Sequence, residues 1–178
     1  MPSPEKVSFQ FMKKIRDRFR KRNALWDTGG PLGVLHPGSR GAWFSDIKIG
    51  PWKIRLNVAP RKGKDKLKVG EDLSSAERSF KKISRNINSQ YTALTATILW
   101  KEWKTYFQEM AEENPEASEE EIPTSPGNLA YYMEPKELYL SEDGSGYISY
   151  KEMESVGGHW PKCDFNSEGK IIHVGFEG

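Results

Sequence analysis

The chain has 178 residues, 36% of them apolar, and its 27 basic and 25 acidic residues leave a formal charge of +2. That length suits one domain with a real core, and 21 aromatic residues argue against disorder throughout. Balanced charge does not by itself point to nucleic acid or membrane; one cysteine rules out an internal disulfide, and with no apolar run near the roughly 20 residues of a membrane span it predicts a soluble, cytoplasmic protein.

In residues 1–25, Val7, Phe11, Ile15 and Phe19 recur at i+4, which predicts an amphipathic helix. Its other face carries Lys13, Lys14, Arg16, Arg18, Arg20, Lys21 and Arg22. Such a face is ordinarily solvated; contact with nucleic acid or an anionic membrane is the less favoured alternative, since no recognition motif accompanies it. A Gly- and Pro-rich loop follows, with Leu32 to Leu35 as a short edge strand. From Trp43 to Val58 the pattern has period two: Trp52, Ile54, Leu56 and Val58 alternate with Lys53, Arg55 and Asn57 across Gly50-Pro51, which predicts a hairpin. Pro60 to Lys66 reads as a mobile basic loop, without the Gly-Lys-Ser/Thr ending of a phosphate-binding loop.

The period then becomes helical. Ala76, Phe80, Ile83, Ile87, Tyr91, Leu94 and Ile98 form a stripe that Leu99, Trp103, Tyr106, Phe107 and Met110 continue, so residues 75–112 form one long helix or two with a break near Thr92 to Thr97. The aromatic residues on this stripe are read as core. Glu112 to Glu121 contains six glutamates and reads as a solvated linker with a short capped turn at Ser118 to Glu121, or as an acidic decoy for a basic partner. From Leu138 to Gly178, short β-branched and aromatic runs separated by Asp-Gly and Glu-Gly turns predict a meander of three or four antiparallel strands.

Few groups promise chemistry. Ser141 to Glu152 aligns with a calcium loop, making Asp143, Ser145 and Glu152 weak metal candidates, although Ser141 replaces the usual first aspartate and strands, not helices, flank the loop. His159, in Gly157-Gly158-His159-Trp160, is the weak catalytic candidate, with Asp143, Glu152 and Asp164 as possible carboxylate partners. A structural turn histidine is the plainer reading. Cys163 is read as a small buried filler. No nucleophile elbow, dinucleotide fingerprint, zinc ribbon or other cofactor signature occurs.

The order of Leu32-Gly33-Val34-Leu35, the hairpin from Trp43-Phe44 to Val58, the long helical stretch, Glu137 to Leu140 with Asp143-Gly144-Ser145, Gly157-Gly158-His159 and the closing Gly169 to Gly178 strand resembles a bacterial domain-of-unknown-function family. The resemblance implies a bacterial, cytoplasmic protein and brings no activity; Lys151-Glu152-Met153-Glu154 departs from the more acidic hairpin end of that family.

The expected fold is α+β: a basic helix over 1–25, then one domain over 30–178 in which an N-terminal hairpin and a C-terminal meander form an antiparallel sheet under a long helix or helix pair. The expected function is a non-enzymatic protein-binding module, immunity- or antitoxin-like, with no cofactor. The alternative is a hydrolase or metal-dependent enzyme centred on His159.

Overall fold

A computed structural model describes residues 25–178. The basic helix expected over 1–25, with its candidate nucleic acid or membrane contacts, lies outside the described residues except for Leu25. The rest is α+β. Eight strands form one sheet in sequence order: β1 (Trp26–Asp27), β2 (Val34–Pro37), β3 (Trp43–Ile49), β4 (Trp52–Ala59), β5 (Pro135–Ser141), β6 (Gly146–Tyr150), β7 (Trp160–Phe165) and β8 (Ile171–Glu177). Every neighbouring pair is antiparallel except β4 and β5, which run parallel.

The parallel pair corrects the expectation of a wholly antiparallel sheet, and β1 and β2, which extend it beyond β3, make it larger than the hairpin and meander expected. Hairpin and meander are joined by a crossover rather than a turn, and a long crossover returns the chain in its original direction. That crossover holds one long helix, not a pair: α1 (Ser74–Asn86), a π-helical segment (Ile87–Thr92) and α2 (Ala93–Glu113). The irregularity therefore falls just before the threonine-rich stretch. There the Thr92 hydroxyl donates to the Ile87 carbonyl at 2.8 Å, five residues back, and Asn88 turns outward to accept from the Trp52 indole at 3.1 Å. A one-residue widening of this kind turns the residues after it around the helix axis, so the stripe shifts at this point.

Registers divide the sheet into two faces. Leu56, Leu138, Ile148, Cys163 and Val174 are aligned across five strands and buried. The helix covers this row with Ala76, Ile83, Tyr91, Leu99 and Phe107, so the stripe read from the sequence is core. Tyr91 packs edge-on against Phe165, and its hydroxyl donates to the Gly169 carbonyl at 2.7 Å. Cys163 is buried as expected, and desolvation raises its thiol to about 11, which keeps it protonated and unreactive.

Two loops are better fastened than their composition suggests. The Lys64 ammonium lies 2.6 Å from both Glu71 and Glu142, and Arg61 also reaches Glu142, so the basic loop after β4 is tied to the β5–β6 turn rather than free. In the acidic linker, the Ser118 amide donates to Glu121 at 2.7 Å while the Glu121 amide donates to the Ser118 hydroxyl at 3.3 Å: the reciprocal cap expected there. A short helix, α3 (Pro126–Tyr132), follows, with Ser125 accepting from the Asn128 amide and Pro126 at its first position.

Candidate functional site

The face of the sheet opposite the helix carries the chemistry. One row runs His36, Phe44, Asn57, Tyr139, Tyr147, Asp164 and His173 across seven strands; a second runs Asp46, Arg55, Glu137, Ser149, Lys162 and Gly175. Strand alternation puts these residues on the side away from the core, because each neighbour in sequence belongs to a buried row.

The rows interlock. Asn57 donates to Glu137 at 2.6 Å, and the Tyr147 hydroxyl lies 3.4 Å from the same carboxylate oxygen. Tyr139 and Tyr147, directly opposite each other in the β5–β6 hairpin, stack with centroids 4.9 Å apart and planes within 4°. Lys162 places its ammonium 4.6 Å from the Tyr147 ring centroid, 2.6 Å from Glu177 and 3.4 Å from Asp164. Asp164 in turn lies 3.2 Å from His173 Nδ1. At the other end Arg55 sits over Phe44 and pairs with Asp46 at 2.8 Å.

Two groups of this face are each held in one protonation state. Burial works against the Lys162 charge, yet Glu177 and Asp164 outweigh it and raise its pKa, so it stays a cation. Burial, helped by Glu137, pushes the Tyr147 phenol up and keeps it neutral. A general acid or base works best when it titrates near the operating pH, and neither group does.

At the end of the sheet where β5 starts and β6 and β8 finish, an open groove of about 1320 Å³ runs between the strand ends, Asn88 and Thr92 of the long helix, the Ser118–Glu121 turn and α3. Seven glutamates line it against three lysines, Lys136, Lys151 and Lys162. Glu120 and Glu121 come from the turn, Glu134 and Glu137 from around the start of β5, Glu152 and Glu154 from beyond β6, and Glu177 from β8. Trp52, Tyr131, Tyr132 and Trp160 add aromatic surface, and Tyr131 is 77% exposed.

The residues singled out in the sequence are scattered across this structure. Glu152 lines the groove and Asp164 belongs to the open face, but His159 and Asp143 join neither. His159 is exposed on the turn before β7, with its imidazole against Gly178, while its backbone carbonyl accepts from the Met153 amide. Asp143 lies in the β5–β6 turn and accepts from the Ser145 amide at 2.9 Å and hydroxyl at 2.7 Å. Strand β6 separates it from Glu152, and five extended residues span roughly 17 Å, so Asp143, Ser145 and Glu152 cannot share one ion. Among the described residues no three His, Cys, Asp or Glu side chains converge as metal ligands.

The imidazole that does meet a carboxylate is His173, at 3.2 Å from Asp164. No local motif marks it; it meets Asp164 only through the β7–β8 register. Comparisons with protein-family models, curated proteins and solved structures find no match to this chain.

Proposed function

We propose that this chain is a protein-binding module of the immunity or antitoxin-like kind, acting in a bacterial cytoplasm, and that its partner presents a basic protein surface to the glutamate-lined groove. The observation that carries this reading is the excess of seven glutamates over three lysines around one concavity with aromatic walls. Large, stiff aromatic side chains give contact area at little entropic cost, and a field of one sign steers an oppositely charged partner and disfavours others. The body of the chain supports the same polarity. Eight of its 27 basic and two of its 25 acidic residues fall in 1–24, leaving 19 against 23 in 25–178. The ion pairs around Lys162 hold the floor of the site in one geometry before any partner arrives, which lowers the ordering cost of binding.

Among the described residues no helix is long and apolar enough to cross a membrane, which is compatible with that setting. The test is affinity capture with the tagged full-length chain and with the variant Glu120→Lys/Glu152→Lys. Both side chains are exposed in the groove, so the variant should melt at an unchanged temperature. The expected result is recovery of a basic protein by the parent chain, bound about tenfold or more weakly by the variant and progressively released as salt rises. Equal capture by both chains, or a partner that binds through an acidic surface, contradicts the proposal.

A further inference from the structure

Strand β8 pairs with β7 and with no other strand among the described residues. An outer strand offers a row of backbone N–H and C=O groups to any chain that can approach, and sequences usually guard it with lysine, proline or a bulge. Between Ile171 and Phe176 neither residue occurs. The only irregularity is the bulge that inserts Ile172, which is 64% exposed. Beyond it the strand is regular: His173, Gly175 and Glu177 lie on the open face, Val174 and Phe176 on the helix face.

We propose that residues His173–Glu177 pair antiparallel with the same stretch of a second copy, about a two-fold axis at Gly175, so that two sheets become one. Charge and shape choose this occupant, because the stretch is complementary to itself. With Gly175 opposite its own copy, His173 faces Glu177 of the second copy on the open side, and Val174 faces Phe176 of the second copy on the helix side. The side chains of His173 and Glu177 are 68% and 51% exposed, each beside its intrachain partner, Asp164 and Lys162, with open surface left for a second contact. Gly175 brings no side chain to the axis, and the His173 ring of the same chain borders the space above it. Placing Val174 on the axis instead opposes Ile171, which the bulge puts on the helix side, to the open-side Glu177, so that register loses its match. Trp103, packed edge-on against Phe176 at 4.9 Å, and the neighbouring exposed Tyr106 extend the apolar side onto α2. A two-fold pairing uses each contact twice. The stretch is short, so the dimer is a weak, reversible one of small area.

Sedimentation velocity of the full-length chain, from about 1 μM to several hundred μM, tests the pairing. The parent should pass from monomer to dimer within that range. His173→Lys replaces each imidazole–carboxylate contact by an ion pair and should move the midpoint to a concentration about fivefold lower; His173→Glu opposes two carboxylates twice and should raise it about tenfold or more. The substituted side chain is exposed, and unchanged circular dichroism of both variants confirms that the fold is kept. A monomer at every concentration, or a dimer with the same midpoint in both variants, overturns the inference.

Discussion

Phe165→Ala should destabilise the fold by about 4 kcal/mol, the loss expected when a buried aromatic ring leaves a cavity that rigid neighbours cannot fill. For a chain of this size that is a fall in melting temperature of roughly 8–16 °C. The ring is fully buried on the helix face of β7, edge-on to Tyr91 with centroids 6.1 Å apart, where the long helix meets the sheet. Neither neighbour can collapse inward cheaply. Tyr91 is anchored by its bond to the Gly169 carbonyl, and the β6 residue aligned with Phe165 is Gly146, which has no side chain to offer. Chemical denaturation with a far-ultraviolet readout measures the loss; a change below about 1 kcal/mol would mean that helix and sheet do not share this contact in solution.

Gly146→Ala is expected to cost about 3 kcal/mol for the opposite reason, overpacking. A Cβ at this position would run into the Tyr139 carbonyl oxygen and come within 3.0 Å of the Phe165 ring. The carbonyl belongs to the neighbouring strand, so relief requires moving β5 against β6 and disturbs the Tyr139–Tyr147 stack on the other face. Combining the two substitutions should cost less than their sum, because truncating Phe165 removes one of the two obstacles. Strict additivity in the same denaturation experiment would show that the ring does not fill the space over the glycine.

Much of the scaffold is written locally. Alternation marks β3 and β4 because each has one wet and one dry face, and the three-four stripe from Ala76 to Met110 marks the helix because its apolar side must be covered. The Ser118–Glu121 cap is readable for the same reason: both partners lie within four residues. What stays hidden depends on residues far apart in the chain. The parallel alignment of Leu56 with Leu138 leaves no trace in either segment, so the common sheet is legible but the parallel direction of its central junction is not. Nor does composition reveal that Lys64 spends its charge on Glu71 and Glu142.

The site follows the same division. Tyr139 and Tyr147 stand four residues either side of Asp143, but a two-residue Asp143-Gly144 turn would oppose Tyr139 to Ile148, so their stacking depends on the longer loop that the structure shows. Asp164 is a candidate from the sequence, but its partner His173 is set by a bulge that shifts the register by one residue. The calcium alignment counts ligands along a loop, whereas here a strand runs through the middle, as a hairpin turn at Asp143-Gly144 implies. Groove polarity was half visible in the Glu112–Glu121 run; Glu134, Glu137 and Glu177 join it only after the sheet closes. Ser125-Pro126, a cap followed by a helix-starting proline, was the unused sign of α3, which carries Tyr131 and Tyr132 to the rim.

Backbone amide chemical-shift mapping of the full-length chain, titrated with an octalysine peptide, tests most directly whether the acidic groove is the binding surface. Saturable shifts are predicted at Glu120, Tyr131, Glu134, Glu137 and Glu152, with the helix-covered strands unmoved at Leu56 and Leu138. Shifts confined to Glu112–Glu119, or centred on the β2–β3 end of the sheet, would contradict it.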